Sequence, residues 1–262
     1  MSFNHAFLTV ERTFEYLAIR PLLPSRAHVL ELGAGTGLQS KLFAQDGFVV
    51  NALDMPTSNY AANRVFAVED YDGIHIPFQD ATFDVVFSSS VLEHVSDLAS
   101  IQNEIRRVLK PDGFAIHILP SVSWRLFTLL TGLLIGTGKV LRLFTKASRH
   151  WFFSSPKVNA SQESRSIIRE FFFPAPHGES EYLVQEFWVF SRFFWARNFI
   201  RNQFVIDRYM QTGLFYSGHM LLGERLPLRA RQVLARVFGS ACHVFQVRPR
   251  RPIDIPLERQ PN

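Results

Sequence analysis

Gly33, Gly35 and Gly37 stand at alternate positions directly after an apolar run, Val29, Leu30 and Leu32, that encloses one acid, Glu31. A helical pattern takes over at Leu38, Leu42 and Phe43. Strand, glycine turn and helix in that order make a surface on which a ligand lies against the backbone, because a side chain at those positions would block its approach. The first amides of the helix then face the ligand. Phe48–Leu53 is the expected second strand, and it ends in Asp54. A dinucleotide site wants its third glycine at position 38, where this chain has Leu38, while Gly37 comes one residue early. The turn is therefore built for a different cofactor.

The elements that must hold this turn alternate along the chain. The pattern predicts a helix over 3–23, with Phe7, Val10, Phe14, Leu17 and Ala18 near one face and Pro21 and Pro24 ending it. Val65–Val68 is a short third strand, Phe83–Phe87 a buried fourth that empties into Ser88, Ser89 and Ser90, and Val91–Leu109 a helix. Pro111, Asp112 and Gly113 read as a turn before a fifth strand, Phe114–Leu119. Further on, 183–201 reads as a helix, 204–209 as a sixth strand, 228–238 as a helix and 241–247 as a seventh strand. Strands alternating with helices imply a mostly parallel sheet with helices on both faces and its ligand at the carboxyl ends of the strands.

The 262 residues are 47% hydrophobic and 19% charged, enough for one α/β domain with a real core. One domain over 1–262 is expected: an N-terminal helix over 1–24, a cofactor-binding half over 25–120, an insertion over 121–185, and the rest of the sheet over 186–262. The single cysteine, Cys242, excludes an internal disulfide framework and offers no metal-ligand spacing. Residues 1–20 carry Glu11 and Glu15 in an amphipathic pattern without a long apolar core, so no signal peptide and a reducing, cytoplasmic setting are expected.

Charge is unevenly divided. Residues 1–120 hold 8 Lys and Arg against 14 Asp and Glu, and residues 121–262 hold 20 against 9, so the halves are −6 and +11. Trp124, Trp151, Trp188 and Trp195, the only tryptophans, all lie in the basic half. That mixture suits an anionic membrane surface, an anionic substrate or nucleic acid, the plain alternative being a solvated basic face. The insertion opens with Leu126, Leu129, Leu130, Leu133 and Leu134 at helical spacing, flanked by Arg125, Lys139, Arg142 and Lys146. Its uncharged core, residues 126–138, is shorter than the roughly 20 apolar residues of a spanning helix. A lid, or an interfacial segment over 122–146 at the inner membrane face, is expected, with an ordinary core helix as the alternative.

Four ordered motifs make the chain resemble the class I S-adenosylmethionine-dependent methyltransferases of the type 11 kind. They are Glu31-x-Gly33-x-Gly35-x-Gly37 with Asp54, the stretch from Tyr71 to Val86, Val91-Leu92-Glu93-His94-Val95, and Arg107 to Gly113. The resemblance covers residues 29–119 and implies a Rossmann-like seven-stranded sheet and S-adenosylmethionine as cofactor. It implies that the glycine turn faces the methionine portion and that Glu31 holds that turn and the amino group. It further implies that Asp54 accepts both ribose hydroxyls and Met55 lies against adenine. Asp72 and the Gly73 amide are implied at the adenine edge, and Ser88 and Ser89 beside the methionine end. Each has an ordinary capping or turn role as its alternative.

Methyl transfer is an in-line displacement in which the protein positions the acceptor and removes a proton where the acceptor is a hydroxyl. His94 and His177 are the candidate bases, and Tyr216 and His219 the candidate substrate contacts, because they lie where the family places acceptor contacts. Methyltransferases acting on base nitrogens often carry Asn/Asp-Pro-Pro-Tyr after the fourth strand, and here Ser88-Ser89-Ser90-Val91 stands instead. Nucleic acid is thereby disfavoured. The expected acceptor is small, glycan-type or lipid-linked, methylated on oxygen near a membrane surface; an inactive binding scaffold and an RNA or DNA methyltransferase are the competing readings.

Overall fold

The computed structural model describes residues 5–135, 137, 183–217, 222–251 and 254. Seven strands form one sheet: β1 (His28–Leu32), β2 (Val49–Asp54), β3 (Glu69–Asp70), β4 (Phe83–Ser89), β5 (Leu109–Pro120), β6 (Phe204–Gln211) and β7 (Cys242–Pro249). Their order is β3-β2-β1-β4-β5-β7-β6. β1 pairs in parallel with β2 and β4, β2 with β3, and β4 with β5, whereas β7 runs antiparallel to both β5 and β6. Described helices are α1 (His5–Ile19), α2 (Leu38–Gln45), α3 (Leu98–Val108), α4 (122–135), α5 (Leu183–Val189), α6 (Arg192–Arg201) and α7 (Leu228–Phe238).

β1 is covered on both faces, which explains its run of apolar residues rather than an alternation. One face packs Leu30, Leu32 and Val86 under Ile101 and Ile105 of α3 and Trp195 and Phe199 of α6. The other packs Val29, Val85 and Phe87 under Tyr16 and Ile19 of α1 and Phe43 of α2. Each such fully buried side chain contributes about 1.5–3 kcal/mol. The sheet reverses its direction of growth at β1, so a crevice opens past the carboxyl ends of β1 and β4. Because β7 is antiparallel, its first residue is brought to the same end, with Cys242 opposite Pro120.

Several boundaries differ from those the sequence pattern predicts. β3 is Glu69–Asp70 and not Val65–Val68, because Leu53 and Asp54 of β2 find their partners there. The predicted helix from Val91 divides into a 3-10 turn, Leu92–His94, and α3, whose start is capped by Asp97 accepting from the Ser100 amide at 3.0 Å. Pro111 to Gly113 is a bulge inside β5 rather than a separate turn, since Phe83 pairs with Leu109 and Val85 with Phe114. The predicted helix over 183–201 breaks before Ser191, whose hydroxyl caps α6 through the Phe194 amide at 3.2 Å. Among the described residues no helix is long and apolar enough to cross a membrane.

Candidate functional site

The glycine turn follows from β1 having to reverse into α2 within five residues. The Ala34 amide donates to the Leu53 carbonyl at 3.0 Å and the Gly37 amide to the Ala34 carbonyl at 2.8 Å, which pins the loop beside β2. Gly35 adopts φ +57°, a left-handed conformation that costs other residues roughly 1–2 kcal/mol. A Cβ on Gly33 would sit 2.3 Å from Val91 Cγ2, and one on Gly37 2.7 Å from Phe66 Cβ. A Cβ on Gly35 would meet nothing nearer than Tyr60, at 3.4 Å, and Gly35 borders a cavity of about 450 Å³.

That cavity lies at the carboxyl ends of β1, β2 and β4, between α1 and the beginning of α4. On the β2 side Asp54 is 9% exposed; its Oδ1 accepts from the Met55 amide at 2.9 Å, while Oδ2 is buried and has no partner. Met55 and Gly73 continue this wall. At the far end the ring of Trp124 stacks on Tyr216 with centroids 6.2 Å apart, and both rings line the cavity with Cys242 and Thr212. Burial raises the Cys242 thiol pKa, keeping it protonated.

α1 supplies a polar wall that the motif reading did not find. Arg12 donates to Glu15 Oε2 at 2.8 Å and to the Ser89 hydroxyl, and Ser89 Oγ donates onward to Glu15 Oε2 at 2.9 Å. Among the described residues that line the cavity, Arg12 is the only Arg or Lys. Glu93, in the 3-10 turn after β4, has a fully buried side chain with both carboxylate oxygens lacking hydrogen-bond partners, and its Oε1 lies 3.9 Å from His94 Nε2. The signal for this wall was present as Glu11, Arg12 and Glu15 at helical spacing in an amphipathic helix, and as an acid between Leu92 and His94.

Of the candidate residues, Gly33, Gly35, Asp54, Met55, Gly73, Ser89, His94 and Tyr216 border the cavity. Glu31 and Gly37 do not border the cavity; Glu31 is buried and accepts from the Ser40 hydroxyl, tying β1 to α2. Ser88 points to the opposite face of the sheet, where its hydroxyl meets His117 Nδ1 at 2.8 Å. Asp72 does not border the cavity; its carboxylate accepts from the Ile74 and His75 amides and from the His75 ring, at 2.7–2.8 Å. His177 and His219 lie outside the described residues, as does the insertion from 138 to 182.

Three acids around the site are pushed toward neutrality by burial: Glu31 up to about 7, Glu93 up to about 8, and Glu11, with help from the Glu15 charge, up to about 8. Between about pH 4.5 and 8 the folded protein therefore holds protons that the unfolded chain has released, and the stability these groups contribute falls as pH rises through that window. Buried His117 and His243, lowered to about 3 and 4 by desolvation, act in the opposite sense below about pH 6.5. The unfolding temperature of the ligand-free protein is expected to fall between pH 6.5 and 8.5. Glu93→Gln should remove part of that slope, and a temperature that rises over this window contradicts these protonation states.

Residues 30–117 match the family model Methyltransf_11, described as a methyltransferase domain. The ubiquinone biosynthesis O-methyltransferase of Bradyrhizobium sp. (strain ORS 278) is 30% identical over 134 residues, covering 48% of this chain and 52% of the relative. The protein of the same name from Rhodopseudomonas palustris (strain HaA2) is 26% identical over 149 residues, covering 53% and 57%. The chain thus spans about half the length of these curated relatives. In fold it is similar to an S-adenosylmethionine-dependent methyltransferase from Mesorhizobium loti, with a TM-score of 0.53 at 15% identity over 90% of this chain and 97% of that one.

Proposed function

We propose that this chain, whose residues 30–117 match a methyltransferase domain, acts as a class I S-adenosylmethionine-dependent methyltransferase and transfers a methyl group to an oxygen of a small or lipid-linked acceptor. One observation carries the reading: Asp54 presents a buried, unpartnered carboxylate oxygen beside a glycine turn that opens on a cavity. A vicinal diol is the donor pair such a carboxylate accepts, and a ribose supplies one. The Gly33–Gly35 backbone would then hold the methionine portion, Arg12 the cofactor's carboxylate, and Met55 and the Gly73 backbone the adenine. Asp72, engaged by its own turn, is left with a supporting role at that edge.

When bound, S-adenosylmethionine would supply an electrophilic methyl group on a sulfonium, the carbon–sulfur bond breaking to a neutral thioether as the acceptor oxygen bonds to the methyl carbon. The chain's task is to present that oxygen in line and to take its proton. Glu93 can accept the proton, and His94, half exposed and 3.9 Å away, can pass it to solvent. Burial raises this carboxyl to about 8, so only its ionised fraction accepts the proton at neutral pH, and that fraction grows as pH rises toward 8. The O-methyltransferase relatives support oxygen as the acceptor atom, and Trp124 and Tyr216 offer flat surfaces against which an acceptor ring packs.

Incubating the protein with methyl-tritiated S-adenosylmethionine and an extract of its source organism tests the acceptor class. Label is expected in the organic-soluble fraction with the wild type and at background with Asp54→Ala. Label confined to the nucleic-acid or protein fraction overturns the acceptor assignment.

A further inference from the structure

α4 is built inside out. Its buried positions are Arg125, Thr128 and Thr131, while Leu126, Leu130, Leu133 and Leu134 are 42–65% exposed. These leucines fall at i, i+4, i+7 and i+8, one continuous stripe of the helix. The inward polar groups are satisfied: Arg125 Nε donates to Glu186 Oε2 at 2.5 Å, and the threonine hydroxyls donate to the Trp124 and Phe127 carbonyls. The helix is thus anchored in this orientation, since turning it over would break a buried ion pair and leave a buried charge without its partner. Phe127 adds an aromatic clasp, 4.7 Å from Phe215 and 5.7 Å from Phe238.

The contact with Phe238 joins α4 to α7. Ser123 Oγ also donates to the Phe238 carbonyl at 2.6 Å. α7 exposes Val233 (58%) and Val237 (72%), and between and beside them Arg229 and Arg236. Those four residues again lie at helical spacing on one face. Neither α4 nor α7 contains an acidic residue, in a half of the chain that carries +11. Apolar side chains interleaved with arginines, without a carboxylate, complement a surface that offers hydrocarbon beneath negative charge.

We infer that the outer faces of α4 and α7 form a docking surface for an anionic lipid bilayer, which they enter to the depth of the leucine and valine side chains without spanning it. α4 also carries Trp124, at the cavity's far end, so the bound bilayer lies next to the acceptor end of the cavity. This inference stands apart from the methyl-transfer reading and is read without turnover.

Flotation with vesicles tests it. The protein is expected to float with phosphatidylcholine–phosphatidylglycerol (3:1) vesicles and to remain in solution with phosphatidylcholine alone. Arg229→Glu with Arg236→Glu should lower partitioning at least tenfold, at about fivefold per arginine. Leu130→Ser with Leu134→Ser should do the same. Circular dichroism and S-adenosylhomocysteine affinity should stay at wild-type values in both pairs, which separates docking from folding and from the cofactor site. No flotation with anionic vesicles, or partitioning unchanged in both pairs, overturns the inference. Concentration-dependent self-association lost in the leucine pair, in place of flotation, also overturns it and assigns the surface to a second copy of the chain.

Discussion

Gly35→Val is expected to lower the affinity for S-adenosylhomocysteine at least 100-fold while leaving the fold in place. Two effects act together. The valine must take φ near +57°, at a cost of roughly 1–2 kcal/mol or more for a β-branched residue. Its methyl groups then occupy the space over the turn where the methionine portion of the cofactor lies. The fold should survive because a Cβ at this position comes no closer than 3.4 Å to Tyr60, an ordinary contact. Gly33 would not serve, because its Cβ would collide with Val91 at 2.3 Å and disturb the turn itself. Calorimetric titration with a thermal melt beside it checks the result, and binding retained in Gly35→Val contradicts the position given to the turn.

Asp54→Ala is the second substitution with a large expected effect, again at least 100-fold in cofactor affinity. Hydrogen bonds to a charged group are worth about 1.5–3 kcal/mol each, and two ribose hydroxyls share this carboxylate in the proposed complex. Stability should change little, because within the protein the side chain accepts only from the Met55 amide and leaves Oδ2 without a partner. Asp54→Asn keeps one carbonyl acceptor and loses the charge, so its affinity should fall between those of wild type and alanine. The graded series separates loss of hydrogen bonding from loss of shape.

β1, β2 and β4 were legible because their signals are local. The run Val29–Leu32, the glycines and Asp54 lie within 26 consecutive residues, and the third glycine at 37 instead of 38 distinguished this turn from a dinucleotide turn. Strand alternation also carried information that the motif reading did not use. Ser88 and Ser89 are neighbours on β4 and must point to opposite faces, so only Ser89 reaches the cavity. The charged residues of α1 stand in view at helical spacing, but what they meet was not legible, because Arg12 meets Ser89 77 positions away and Cys242 meets Glu15 227 positions away, and no local pattern records such pairings. α4 shows the limit of periodicity in another way. Its leucine stripe marks one face correctly, but the usual assumption that the apolar stripe turns inward fails once Glu186 holds Arg125 in the interior.

The most direct measurement is isothermal titration of the purified chain with S-adenosylhomocysteine, run in parallel on Asp54→Ala. Saturable micromolar binding at one site, weakened at least 100-fold in the variant, is the predicted result. The absence of binding to the folded wild type, or equal affinity in the two proteins, would contradict the assignment of this cavity to the methyl donor.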